Sequence, residues 1–330
     1  MISDAPAMRI AVPGAIDAAV FRSFDSRARV VRIAGATMGT TWQVRAALPA
    51  ALGLSSADVQ AMVQFRLDGI VADMSHWEPD SQLCRFNRAE AGSDWALSDD
   101  FAEVMAEAMA IAEASGGAFD PALGRLTDIW GLGPRPTKCD PDPDEIAQSV
   151  RLGGWQQLAF DPVAKTLHQP GGVWLDLSGI AKGFAVDAIA DLLAAHGICH
   201  ALVEIGGECT GRGLRPDGDP WWVDIENPPC TILPPLRVAL HQLAVATSGD
   251  YVRGSHTLDP LTGKPALHQT TAVTVLAPQC IQADAWATAL SVLDTPHATL
   301  IAEANALITR IVRRDGSEWI SPALEALLEP

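Results

Sequence analysis

The sequence predicts an α+β fold, with mixed sheets and helices. Three observations carry this. Runs of period-2 alternation rich in Val, Ile, Thr and Trp lie beside stretches of helical apolar spacing. Between residues 201 and 277 strand-like runs follow one another, which breaks any βαβ rhythm and argues against a doubly wound sheet. No repeat of fixed period is present. The 330 residues, 48% of them hydrophobic, suffice for a full core in one large domain or two lobes.

Taken in order, residues 1–27 read as a loosely ordered leader and 28–330 as a single domain. Ala28 to Leu48 alternates and predicts two strands with a tight bend at Met38-Gly39-Thr40. A helix follows, capped by Ser55 or Ser56 and carrying Val59, Met62, Val63, Ile70 and Met74. The polar stretch from Ser75 through His76 and Trp77 to Ser81 breaks it. A second helix runs from Ser98 and ends at Ser115-Gly116-Gly117-Ala118-Phe119-Asp120-Pro121, where paired glycines allow close backbone approach. The prolines between Pro134 and Pro143 mark an external connection, and short strands follow. Val173-Trp174-Leu175 reads as the end of a buried strand, Ser178 as an N-cap, and Phe184 to His196 as a helix. Strands are expected at 201–208, at 221–225, as one run over 236–246, and at 271–277. Ile281 to Leu293 reads as a helix, and the tail as two short strands and a helix.

Composition excludes several classes of function. The formal charge is 23 minus 40, or −17, without a basic patch, so attraction to nucleic acid or anionic lipid is not expected. The 6 cysteines are scattered, with no Cys-x-x-Cys pair, which argues against a zinc site and a disulfide scaffold. No window approaches the roughly 18 apolar residues of a membrane helix. The N-terminus lacks a secretory pattern, and the first cysteine is Cys84. A cytoplasmic location is therefore expected for the chain as given, or a periplasmic one if an export segment has been removed.

Three constellations can carry chemistry. Lys182 stands in Asp176-Leu177-Ser178-Gly179-Ile180-Ala181-Lys182-Gly183, at the expected start of a helix. Such a terminus has unpaired N–H groups and a positive dipole end, and glycines let an anion approach; the same pattern also serves an ordinary tight connection. Asp284 and Thr288, four residues apart on an otherwise apolar helix, share one face. They are hard oxygen donors suited to Mg²⁺, or else a helix-start carboxylate and a back-bonded hydroxyl. His256 opens a turn-rich loop, where a lone histidine is more often a structural hydrogen-bonder than a base, and the other seven histidines show no clear Ser/His/Asp or metal pattern.

In this order the segments resemble the ApbE family of FAD:protein FMN transferases, from about Arg32 to about Leu293. The carrying residues are Met38-Gly39-Thr40; Met74-Ser75 with Pro79, Ser81, Arg85, Phe86 and Asn87; and Gly117 to Pro121 with Trp130-Gly131. Asp176 to Gly183 with Asp187, Ile205-Gly206-Gly207-Glu208, Thr247 to Tyr251, the His256 loop, and Asp284 with Thr288 complete them. The resemblance implies two lobes with an FAD site between them. It also implies Mg²⁺-dependent splitting of FAD, with FMN esterified to a Thr or Ser hydroxyl of a partner flavoprotein and AMP released. The acceptor would carry the motif Asp-x-x-Ser/Thr-Gly-Ala-Thr/Ser. By position, Gly179, Asp284 and Thr288 correspond to metal ligands. Met38, Trp77, Ala118, Phe119, Asp120, Asp176 and Lys182 correspond to FAD contacts. His256 corresponds to the histidine that deprotonates the acceptor, beside Lys182 as the second candidate catalytic residue.

This chain departs from the family pattern in its short Tyr251 to His256 connection, which leaves the acceptor-facing surface open, and in Glu208, where Asp is frequent. Ala34-Gly35-Ala36-Thr37 echoes the acceptor motif but reads as strand sequence. Two further readings stand beside the transferase: a metal-dependent FAD pyrophosphatase giving FMN and AMP, and a non-catalytic FAD-binding protein.

Overall fold

The computed structural model describes residues 7–14, 16–135, 140–229, 231–251, 254, 257–266 and 269–329. Strand β1 (Arg9–Ala11) precedes the hairpin of β2 (Arg29–Thr37) and β3 (Thr40–Leu48). Next come α1 (Ser56–Met74), α2 (Gln82–Asn87), β4 (Ser93–Ala96), α3 (Asp99–Ala114), α4 (Gly124–Ile129) and α5 (Pro143–Leu152). Strands β5 (Ala159–Asp161) and β6 (Thr166–Gln169) lead to α6 (Ala181–Ala195). A run of strands follows: β7 (Ala201–Ile205), β8 (Glu208–Arg212), β9 (Trp221–Ile225), β10 (Leu236–Leu240) and β11 (Gln242–Gly249). The short β12 (Leu258–Asp259) and β13 (Lys264–Pro265), then β14 (Thr270–Ala277), precede α7 (Cys280–Val292) and α8 (Thr295–Ala304). The chain closes with β15 (Ile308–Arg313), β16 (Glu318–Ile320) and α9 (Pro322–Glu325).

The scaffold is an antiparallel sheet in the order β16-β15-β14-β11-β8-β7-β3-β2. Its period-2 pattern separates two faces. Val203, Ile205, Ala244, Ala246, Val273 and Val275 point into the main core, whereas Leu202, Val245 and Leu276 point into a second one. On the first face α7 lies against β11 and β14, α6 against β7 and β8, and α1 against β2, with α3 packed on α7. On the second face lies the small sheet β1-β10-β9, contributing Ala11, Trp221, Ile225, Leu236, Val238 and Leu240. Each fully buried Leu or Ile in these layers contributes roughly 1.5 to 3 kcal/mol. A third, smaller cluster of Leu126, Ile146 and Leu258 seats the β12–β13 hairpin against α4 and α5. Among the described residues no helix is long and apolar enough to cross a membrane.

The α+β class and most elements match the expectation, and four local readings differ. Residues 236–246 form two strands of different sheets, β10 and β11, which part at the buried His241. Residues 173–175, expected as the end of a buried strand, and the two that follow join no ladder. Their backbone is satisfied otherwise: Asn87 brackets Leu175 with both ends of its amide, Gln169 donates to the Val173 carbonyl, and the Asp176 N–H reaches the Pro121 carbonyl. The segment expected as a loose leader is partly ordered, since β1 pairs with β10 and Arg9 forms an ion pair with Glu318, which also binds the buried Arg310. Helix α6 starts at Ala181, and Ile180, without a side-chain bond, stands at its N-cap. Ser178 bonds instead to Asp176.

Candidate active site

One end of the large sheet gathers two hairpin turns and two helix starts. The β2–β3 turn is Met38-Gly39, with φ of 48° and 70°. Positive φ at both positions suits the right-handed twist of a two-residue hairpin, and a non-glycine residue there is held at a cost of about 1 kcal/mol. The neighbouring turn, Gly206-Gly207, joins β7 to β8, and the Gly206 N–H donates to the Thr41 carbonyl (3.0 Å). Glu208 therefore starts β8 beside the first turn of α6.

Helices α6 and α7 cross there at close range. A Cβ on Gly183 would stand 2.3 Å from the Cys280 carbonyl oxygen and 2.7 Å from the Asp284 Cβ, so only glycine permits this crossing. Each helix is capped by the other. The Gly183 N–H donates to Asp284 Oδ2 (2.9 Å), and the Ile281 N–H donates to Asp187 Oδ2 (2.9 Å). An N–H of the first turn of α6 is thus bound by a carboxylate 101 residues away, where no local side-chain cap stands.

Lys182 pairs with Glu208 across this crossing. Burial pushes the Glu208 carboxyl up to about 7 against the pull of Lys182. Asp284 is raised by burial as well, again against Lys182. Burial alone would lower Lys182, but Asp284 and then Glu208 outweigh it and hold it raised. Thr288, one turn beyond Asp284, places Oγ1 3.4 Å from the Gly179 carbonyl oxygen and 3.4 Å from Ser248 Oγ. A carbonyl, a hydroxyl and a carboxylate thus converge beside an ammonium group. Among the described residues no group of three or more His, Cys, Asp or Glu side chains is placed to hold a metal ion. A hard cation that keeps waters and borrows phosphate oxygens fits this donor set better than a metal needing a cage of side chains.

A second constellation surrounds Asp176. Thr127 donates to one carboxylate oxygen, and the Ser178 N–H (2.8 Å) and hydroxyl donate to the other. His76 Nδ1 lies 3.5 Å from the latter. Burial alone would raise Asp176, but the nearby His76, then the Ser178 and Thr127 hydroxyls, hold it well below the usual carboxylate range. Ser178 is bonded in sequence to Gly179, so the two constellations share one turn.

Comparisons with known proteins decide which family this geometry belongs to. Residues 38–310 match the profile described as the ApbE family. The chain belongs to the ApbE family. The FAD:protein FMN transferase of Haemophilus influenzae is 33% identical over 317 residues, covering 90% of either chain. That of Vibrio cholerae is 34% identical over 318 residues, 92% of this chain and 94% of the relative. Among solved structures, the flavin transferase ApbE of Vibrio cholerae superposes with a TM-score of 0.83 at 33% identity, covering 91% of this chain and 99% of that one. The apo Pseudomonas stutzeri flavinyl transferase ApbE gives 0.84 at 33%, covering 92% and 98%.

The ApbE-type residues expected from sequence fall as follows. Gly179, Lys182, Asp284 and Thr288 come together at the helix crossing, and Asp176 stands one turn away. Met38 lies in the hairpin turn at the same end of the sheet, and Trp77 is exposed beside His76. Ala118, Phe119 and Asp120 are buried. Asp120 accepts from the Ala122 (2.7 Å) and Trp155 (3.1 Å) N–H groups, and burial pushes it up to about 6 against those bonds. His256 lies outside the described residues, as do its neighbours 252, 253 and 255. Ala34-Gly35-Ala36-Thr37 lies inside β2 with Thr37 buried, as its strand reading expected. Sequence reasoning gave no site role to Thr127, His76 or Ser248, although His76 and Ser248 stand in stretches it singled out. Thr127 stands 49 residues from Asp176 and carries no local pattern.

Proposed function

We propose that this chain transfers FMN from FAD to a Ser or Thr hydroxyl of a partner flavoprotein, with Mg²⁺ and with release of AMP. The observation that supports it best is the convergence of the Gly179 carbonyl, the Thr288 hydroxyl and the Asp284 carboxylate beside Lys182. Transfer of a phosphoryl-linked group needs charge neutralised and reactants aligned more than it needs covalent help from the protein. Mg²⁺ at these oxygens would offset the negative charge that grows as the pyrophosphate bond breaks.

The chain's own groups do the rest. Lys182 supplies a fixed positive charge for the pyrophosphate, and Glu208 holds its ammonium at the mouth of α6. Asp284 keeps the α6 terminus and the metal side in one place through its bond to Gly183. Trp77 offers an exposed aromatic face for a flavin or adenine ring. Met38 lines the same end of the sheet, and Ala118 to Asp120, with their side chains turned inward, offer backbone. His256 takes the acceptor proton. The acceptor carries the motif Asp-x-x-Ser/Thr-Gly-Ala-Thr/Ser.

Incubation with FAD, Mg²⁺ and a protein bearing that motif tests this reading by intact mass. One FMN per acceptor, with AMP in equal amount, is expected. AMP released at the same rate without acceptor would identify a pyrophosphatase instead, and FAD binding with no turnover would identify a binding protein.

A further inference from the structure

Beside Asp176, one ring nitrogen is buried without a hydrogen-bond partner among the described residues. His76 sits in the turn between α1 and α2, its side chain 16% exposed. Its Nδ1 lies 3.4 Å from Ser178 Oγ and 3.5 Å from Asp176 Oδ1. Nε2, across the ring, is buried and has no hydrogen-bond partner among the described residues. The imidazole touches the Trp77 indole, with centroids 5.6 Å apart and planes tilted by 38°, and Trp77 is itself 61% exposed. A polar atom buried without a partner costs about 1 to 3 kcal/mol, and native proteins leave few of them.

We propose that His76 is a further FAD contact, whose Nε2 hydrogen-bonds the sugar hydroxyl adjoining the ring that stacks on Trp77. The inference rests on the FAD-dependent reading above. His76 Nδ1 faces the Asp176 carboxylate and the Ser178 hydroxyl, whose own proton goes to Asp176, so Nδ1 carries a hydrogen and Nε2 is the ring atom left for a ligand. A sugar hydroxyl both donates and accepts, so it can meet Nε2 in either form of the ring, whereas a phosphate oxygen only accepts. Trp77 lies in a turn, outside any helix or strand, with its indole beside the imidazole, and a ligand stacking on its exposed face would reach the buried Nε2 only if that turn shifts. Both halves of FAD have a hydroxyl-bearing chain beside an aromatic ring, the ribityl next to the flavin and the ribose next to adenine.

Asparagine and glutamine separate the two ends of the imidazole. His76→Asn keeps a polar atom near the place of Nδ1, facing Ser178 and Asp176, with nothing at Nε2. His76→Gln carries its amide out to about the place of Nε2. FAD affinity is read on the whole chain from flavin fluorescence, without Mg²⁺ or acceptor, and each variant's melting temperature is recorded. We expect His76→Asn to bind FAD about tenfold more weakly at an unchanged melting temperature, and His76→Gln to recover most of that loss. Competition by FMN and by AMP then assigns the hydroxyl, since only the half that bears it loses affinity in His76→Asn. Equal FAD affinity in wild type and His76→Asn overturns the contact and leaves the transferase reading standing. So does a loss that follows the melting temperature and is not recovered by Gln, because His76 would then only support Asp176. A wild-type chain that binds no FAD removes both.

Discussion

Two carboxylate sites that meet at one turn of chain treat their charge in opposite ways. At the crossing of α6 and α7, Asp187, Glu208 and Asp284 are all raised, because burial outweighs the few donors that reach them. Asp187 Oδ1 and Glu208 Oε2 have no hydrogen-bond partner among the described residues. Asp176 is lowered instead, since two hydroxyls, a backbone N–H and His76 surround it. The charge of Asp176 is satisfied by the fold, whereas the crossing holds anionic capacity that Lys182 offsets only in part. The unsatisfied group is the one suited to a cation from outside, and the satisfied one is suited to orienting its neighbours.

The largest effect expected from this contrast is catalytic. Asp284→Ala removes the carboxylate at the three-oxygen convergence, and FMN transfer should fall by at least about a thousandfold while much of the FAD affinity stays. Acceptor mass after incubation reads the first quantity and flavin fluorescence the second. Transfer at the wild-type rate would take Asp284 out of the metal assignment and leave the crossing with no role that Asp176 lacks.

Packing at the crossing gives the next largest change. Gly183→Ala puts a methyl group against the Cys280 carbonyl and the Asp284 Cβ, so the helices must separate, at about 1 to 3 kcal/mol. Gly69→Ala, in α1 with nothing within 4 Å of its added Cβ, is the control and should be neutral or stabilising by about 0.5 to 1 kcal/mol. Urea denaturation compares them. Equal stability of the two variants would mean that the crossing yields easily and does not fix Asp284.

How much of this was legible in the sequence follows from the range over which each feature is specified. The capping box of Ser55 with Asp58, the Ser98 cap and the Met38-Gly39 turn are decided by residues within four positions, and the expected helices and hairpin formed where these signals stand. Asp284 and Thr288 were readable as a pair because helical spacing is local, and Lys182 because a glycine-rich helix start is. Their meeting was not readable from local pattern, since the bond between Gly183 and Asp284 joins segments 101 residues apart, and only the family resemblance implied it. The Ser178 cap failed for the same reason, because Asp284 supplies from a distance what a local cap supplies elsewhere. Residues 173–175 looked like the end of a strand because they are apolar, yet amides at Asn87 and Gln169 replace the ladder. Apolar alternation over 236–246 likewise hid the change of sheet at His241.

Asp176→Asn tests the satisfied side. A carboxylate lowered in the folded state contributes stability above its unfolded pKa, near 3.9, and loses it as pH falls through the folded value. The variant should therefore be less stable than wild type by about 2 to 3 kcal/mol at pH 7, with the gap closing below about pH 4. A gap independent of pH would mean that shape and not charge matters at Asp176.

Asp187→Asn should show the reverse dependence, with a smaller amplitude. Burial pushes Asp187 up to about 6, against the Ile281 and Cys280 N–H groups that reach it. Between the unfolded value, near 3.9, and about 6, the folded protein holds the proton and the unfolded chain has released it. Stability from this group is thus fully present below about pH 4 and is lost as pH rises through 6. Asparagine titrates nowhere, so the wild-type advantage over Asp187→Asn should grow by on the order of 1 to 2 kcal/mol as pH drops from 7 to 4. Chemical denaturation of both proteins at unit steps of pH measures it, and the other titrating groups cancel in the difference. An advantage that shrinks toward acid would place an ionised, well-satisfied carboxylate at the start of α7. The crossing would then hold its charge as Asp176 does, and an uncompensated anion could no longer be the reason that this end of the sheet takes a cation.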